Sequence, residues 1–291
     1  MNHRLSVLFL GLAATIAGVV HAADPAAPAP AAELTVDQVI EKNVAARGGL
    51  DAWRKIDSMI WSGHMESPTS ADPVLPFLLE QKRPNKSRFE INSVAQKSMR
   101  VFDGTRGWKA RPGKNGTSDI QPFNAQEVKF AKGEPGLDGP LIDYQAKGST
   151  AELIGIEDIE GRKNYRIGVR LPSGERNDVW IDAQTFLETK LDRSTYNARG
   201  ERGSVSVFYR DYKTIQGLKI PGIMEIGVGS AHVPDRMVVE KVAINPPLDD
   251  KTFSRPGGMR RNRMAIIDYD PLGQEGNPPT LPSTAAGAGG R

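Results

Sequence analysis

The chain has 291 residues, 38 Lys+Arg against 35 Asp+Glu, a formal charge of +3, no cysteine and four histidines. That length holds one large domain or two small ones, and 38% apolar with 25% charged residues excludes a membrane-embedded helical bundle. Without cysteine there is no disulfide, thiolate metal site, cysteine nucleophile or lipidated N-terminal cysteine. So small a net charge does not mark a polyanion-binding surface, and no nucleic-acid partner is expected.

Residues 1–22 read as a cleaved signal peptide. Met1-Asn2-His3-Arg4 is a basic start, 5–20 is almost wholly apolar, and Val20-His21-Ala22 offers small residues where a signal peptidase cuts. The apolar run is shorter than the roughly 20 residues that span a bilayer. A periplasmic location is therefore expected, with peripheral membrane contact at most. Cleavage leaves His64 and His232, so a Ser-His-Asp triad or a multi-histidine metal site would have to use these two. Residues 23–33, with Pro25, Pro28 and Pro30 among alanines, form a semi-extended linker.

Order is expected from 34. Thr35 and Gln38 have capping-box spacing, Val36, Val39, Ile40 and Val44 follow at helical spacing, and Gly48-Gly49 ends the helix. A second short helical turn places Trp53 and Ile56 on one side. From Ser58 the period changes to two: Met59, Trp61 and Met65 share a face of 58–66. Further strands are expected at 77–83, 87–93 and 97–103, with a hairpin turn at Asp103-Gly104 leading to Trp108. Residues 124–132 suit a short helix, and 137–148 are punctuated by glycine and proline, with Leu141, Ile142 and Tyr144 as apolar content. Beyond 151 strands alternate with tight turns at Glu160-Gly161, Ser173-Gly174 and Ala183-Gln184, until Pro246-Pro247.

The count is about eleven strands on short connections, which implies antiparallel neighbours and disfavours a parallel βαβ sheet. Strand twist curls so wide a sheet and gives it a concave face that a core, a helix or a ligand must fill. The fold class is α+β, predominantly β: an incomplete, half-open antiparallel β-barrel over 34–255, with an N-terminal helix and a few short helices at the concave face. Residues 256–291, with Arg260, Arg261 and Arg263 before a Gly/Pro/Ala/Ser-rich stretch, read as a basic cluster and disordered tail.

Three stretches resemble the periplasmic LolA/LolB-like superfamily, in particular its outer-membrane lipoprotein-sorting proteins. They are the entry helix running through Gly48-Gly49-Leu50-Asp51-Ala52-Trp53 into 58–63; the 100–108 segment RVFDGTRGW; and Val179-Trp180-Ile181-Asp182 with 186–190, followed by 208–221. Together they cover roughly 34–250. The resemblance implies an open half-barrel whose apolar concavity holds acyl chains of a lipid or acylated protein, with a partner in the inner or outer membrane. The chain departs from it in a longer 137–148 region and tail and in lacking the anchoring cysteine of LolB-type receptors.

An acyl chain gains about 0.8 kcal/mol per methylene removed from water, so such a site needs apolar walls and polar groups only near its mouth. The lining candidates are Met59, Trp61, Met65, Phe77, Leu79, Phe89, Ile91, Met99, Tyr165, Ile167, Val169 and Met224, with methionine adapting to variable chain shape. Each of them also suits ordinary core. No catalytic, metal or cofactor residues are assigned. Glycines such as Gly104 and Gly107 lack a phosphate-loop context, and no serine sits in a G-x-S-x-G elbow. The reading is a monomeric apolar-ligand carrier. Its alternatives are a sensor or regulatory module on the same scaffold, and a secreted enzyme with His64 as the best candidate base.

Overall fold

The computed structural model describes residues 34–68, 73–92, 97–112, 118–134, 136–196, 202–228 and 234–257. The segments read as signal peptide, linker and arginine cluster lie outside them.

Helix α1, Val36–Ala46, starts at the expected capping box: the Thr35 amide donates to Gln38 Oε1 at 2.9 Å, and the Gln38 amide donates to Thr35 Oγ1 at 3.3 Å. Gly48 and Gly49, at φ 115° and 90°, turn the chain into α2, Leu50–Arg54. Gly48 is also required for space, because an added Cβ would come within 2.6 Å of the Gly217 carbonyl.

Thirteen strands among the described residues form one antiparallel sheet. They are β1 Ser58–Glu66, β2 Val74–Lys82, β3 Lys86–Asn92, β4 Lys97–Phe102, β5 Gly107–Pro112, β6 Ser118–Pro122, β7 Thr150–Ile159, β8 Arg162–Arg170, β9 Arg176–Asp182, β10 Glu188–Tyr196, β11 Arg202–Ile215, β12 Leu218–Val228 and β13 Asp235–Ile244. The spatial order is 6-5-4-3-2-1-13-12-11-10-9-8-7. The chain meanders outward from β1 to β6, crosses to the far edge, and meanders back until β13 pairs with β1. The edges β6 and β7 do not pair, so the barrel stays open.

The strand count exceeds the expected eleven or so. β6 has no clear alternation and is a short edge strand. Residues 213–221, outside the expected strands, extend β11 and begin β12: Gln216 and Gly217, at φ 48° and 84°, form a two-residue turn whose twist suits the flanking strands.

Helix α3, Ala125–Gly133, touches both β5 and β10, the second and tenth strands in the order. In a flat sheet those strands would lie about 38 Å apart, whereas a nine-residue helix is only about 13 Å long and 10–12 Å thick. The sheet is therefore strongly curled around its helices.

Residues paired across antiparallel strands share a face, so the register sorts every side chain. In the middle of the concave face, Met59, Trp61, Phe77, Met237, Val239, Val242, Leu218 and Ile220 pack against Trp53 and Ile56 and against Leu137 and Ile142 of the turn-rich 137–148 segment. A second, smaller core lies on the convex face. There Met99, Val101 and Ala110 pack with Phe253 of a 3-10 helix, Asp250–Phe253.

Candidate functional site

Beneath α3 the concave face is not filled. A cavity of about 310 Å³ lies between β2–β4, the start of the turn-rich segment at Gly136 and Leu137, and α3. Two cross-strand rows form its floor. Leu79 pairs with Phe89, Phe89 with Arg100, and Arg100 with Lys109; beside them Gln81 pairs with Ser87, Ser87 with Phe102, and Phe102 with Gly107. Phe123, Phe130 and Ala131 close it from above, with Glu134 and Arg193 at one side. Phe123 can lie there because position 107 is glycine: a Cβ on Gly107 would fall inside the Phe123 ring.

The roof is fixed by polar contacts. Among the described residues of α3 only Glu127 is buried, while Val128 and Phe130 are half-buried. Asn124 caps the helix, accepting from the Glu127 amide at 2.8 Å, and Glu127 Oε2 accepts from the Asn124 amide at 2.9 Å. Lys109 Nζ donates to both Glu127 oxygens, at 3.0 and 2.9 Å. Burial pushes the Glu127 carboxyl up, but the Asn124 amide, Lys109 and the charge of Arg100 outweigh it and hold it below its ordinary 4.5. At the other end, Asn85 Nδ2 donates to the Ala131 carbonyl at 2.8 Å and Arg193 pairs with Glu134 at 3.0 Å.

Next to the cavity lies a buried polar network that fixes the concave face. Arg47, at the end of α1, donates to the Asp138 carbonyl at 2.9 Å and to Glu188 Oε1 at 3.1 Å, and its guanidinium stands 4.4 Å over the Trp53 ring. Asp138, 1% exposed, is held by Arg83 at 2.7 Å and by Lys147. Burial pushes the Lys147 ammonium down and the Tyr212 hydroxyl up, while Tyr212 donates to the Glu188 carbonyl at 3.0 Å. Every charge in this set has an opposite neighbour, which suits a structural clamp better than an acid/base pair.

The structure separates the sequence-derived candidates. Met59, Trp61, Met65, Phe77, Leu79, Phe89, Ile91 and Met224 belong to or pack on the central core of the concave face. Of the twelve, only Leu79 and Phe89 border the cavity. Tyr165, Ile167 and Val169 face the same side on the far wing, opposite Ile181, Val179 and Asn177. Met99 is a correction: it pairs with Glu90 and Ala110, points to the convex face, and packs with Phe253. The alternation of β4 sends Arg100 and Phe102 inward instead. His64 also lies on the convex face, its Nδ1 2.7 Å from Glu240 and its Nε2 3.5 Å from Glu66, away from the cavity. Arg100, Phe102, Phe123, Phe130, Glu134 and Arg193 were not among the candidates. The nearest sequence signal is the Asn124–Glu127 capping box, which marks a helix but not what it covers. Among the described residues no three His, Asp or Glu side chains converge as a metal site.

No protein-family model matches the chain, and no curated protein matches its sequence. In three dimensions it is similar to the crystal structure of a DUF1329 family protein from Desulfovibrio piger, with 14% identity over 76% of this chain and 97% of that one, at a TM-score of 0.51. Weaker likenesses are a LolA superfamily protein from Nitrosomonas europaea (14% identity, 76% and 98% coverage, TM-score 0.48) and a putative outer membrane lipoprotein-sorting protein domain from Vibrio parahaemolyticus (12%, 74% and 94%, 0.47). The half-open antiparallel barrel expected from the sequence is the fold the chain adopts, and it shares that fold with the DUF1329 family protein.

Proposed function

We propose that the protein is a periplasmic carrier that shelters an acyl chain of a lipid or acylated protein beneath α3 and passes it to a partner in the envelope, without catalysis. The observation that carries this reading is the cavity of about 310 Å³ on the concave face. It lies at the small end of the range of small-molecule sites, roughly 300–1,000 Å³. Its floor and roof present Leu79, Phe89, Phe102, Phe123 and Phe130, with Gln81, Ser87 and Arg100 also on the floor and Glu134 and Arg193 at one side. Each methylene buried there contributes about 0.8 kcal/mol, so a chain binds without a dedicated polar contact. The export signal read in residues 1–22 supports the compartment. The placement of His64 on the convex face favours binding over turnover.

The test is to purify the mature protein from the envelope fraction and identify lipid in its organic extract by mass spectrometry. The delipidated protein is then titrated with an apolar fluorescent probe. Acyl lipid at near-stoichiometric amounts and probe displacement by added acyl chain are expected. An extract free of lipid, together with a probe that does not bind, would overturn the reading.

A further inference from the structure

We infer that the ligand is a single-chain amphiphile with a carboxylate head, and that Arg100 is the side chain that binds that head. This rests on the acyl-binding reading above and narrows it to a ligand class.

The charges around the cavity are unevenly matched. Lys82, Lys86, Arg100 and Arg193 border it, and Lys109 lies beside Arg100 in the same cross-strand row. Among the described residues three carboxylates answer these five cations: Asp250 takes both Lys82 and Lys86, Glu134 takes Arg193, and Glu127 takes Lys109 and Arg100. The surplus is positive. Lys82 and Lys86 project from the convex side of their strands toward Asp250, so their excess faces away from the cavity. Among the described residues, Arg193 pairs with Glu134 at 3.0 Å.

Arg100 differs from the others. The Glu127 carboxylate is already occupied by two short bonds from Lys109, at 2.9 and 3.0 Å, and one from the Asn124 amide at 2.9 Å. Arg100 reaches it only at 3.4 and 3.5 Å, beyond the usual range for a charged N–H···O bond. Its side chain is 48% exposed, against 10% for Lys109. Arg100 is thus the outer, longer-range partner of Glu127, and its half-exposed planar fork keeps donor capacity for an anion at the cavity edge. The guanidinium is held 4.5 Å over the Phe123 ring, an orientation that prepares it for a planar, bidentate anion.

Arg100 is the direct cross-strand partner of Phe89, which pairs with Leu79. A carboxylate on Arg100 therefore runs its chain along the apolar floor. A cavity of about 310 Å³ lies at the small end of the range for small-molecule sites, which suits one acyl chain better than several.

The experiment is calorimetric titration of the delipidated mature protein with dodecanoate, dodecan-1-ol and dodecyltrimethylammonium, each below its aggregation concentration. Dodecanoate should bind about tenfold more tightly than the alcohol, as a charge-assisted pair implies, with the cation weakest. Arg100→Gln should bring dodecanoate down to the level of the alcohol and leave the alcohol unchanged, and Arg100→Lys should restore part of the preference. Added salt should weaken dodecanoate alone. Equal affinity for dodecanoate and dodecanol in the unaltered protein would overturn the inference while leaving acyl binding intact, as would a preference that survives Arg100→Gln. Should the variant not fold by circular dichroism, the three-ligand comparison in the unaltered protein decides by itself. Failure of all three ligands to bind would remove the acyl-binding reading, and this inference with it.

Discussion

The two wings of the concave face are covered by helices of different character. Over β8 and β9, Ile167, Val169, Val179 and Ile181 are 0–1% exposed. This wing lies beneath α1, which touches β7 and whose Val39 and Ile40 are themselves buried. Asn43 of α1 donates to the Phe186 carbonyl at 2.8 Å, and Arg47 pairs with Glu188. Over β2–β4 the cover is α3, which brings no fully buried apolar side chain and is held by Glu127, Asn85 and Glu134. One sheet face thus becomes core where an apolar stripe lies on it and a cavity where a polar-anchored helix does. Twist supplies the hollow along the whole face, and the covering segment decides what remains of it.

The sealed wing should tolerate the loss of a side chain least. Ile181→Ala should cost about 2–5 kcal/mol in denaturant unfolding, because its neighbours cannot collapse into the space; a loss comparable to that of an exposed-site change would show that this wing is not core. In the open wing, Gly107→Ala displaces the Phe123 ring and should cost about 1–3 kcal/mol while weakening probe binding. Unchanged binding there would mean that Phe123 is not part of the wall. Leu79→Trp fills the cavity floor. It should change stability by less than about 1 kcal/mol yet abolish acyl binding, and retained binding would place the ligand elsewhere.

The smallest expected effect is local. Glu127 is held below its ordinary 4.5, so the stability it contributes is complete above that value and is lost as pH falls through its lower native one. Lowering the pH from neutral to below 4.5 should therefore speed hydrogen exchange of the α3 amides relative to those of β8 and β9. A ratio that does not move would argue that Lys109 and Glu127 do not anchor the roof.

Much of this was legible in the chain. The Thr35–Gln38 capping box, the Gly48-Gly49 stop, and the turns at Glu160-Gly161 and Ser173-Gly174 are local, and their residues act over three or four positions whatever surrounds them. Period-two alternation likewise grouped Met59, Trp61 and Met65 on one face. The cavity was harder to read. In β4 the alternation sets Met99 and Val101 against Arg100 and Phe102, and hydrophobicity points to the first pair as the inner one. That rule assumes one buried face, but Phe253 and Leu248 cover the convex face of β4, so both faces are apolar and the pattern loses its meaning. Arg100 was accordingly not among the lining candidates.

The order of strands along the chain, their antiparallel pairing and the curl of the sheet follow from short connections and backbone twist, which the sequence determines by itself. Which side of each strand became concave, and where along that side a space survived, depended on contacts between residues far apart: Arg47 with Glu188, Asn85 with the end of α3, Lys109 with Glu127. A side chain's type sets what it can bury or bind. Only the packing of distant segments sets what is left beside it to be filled.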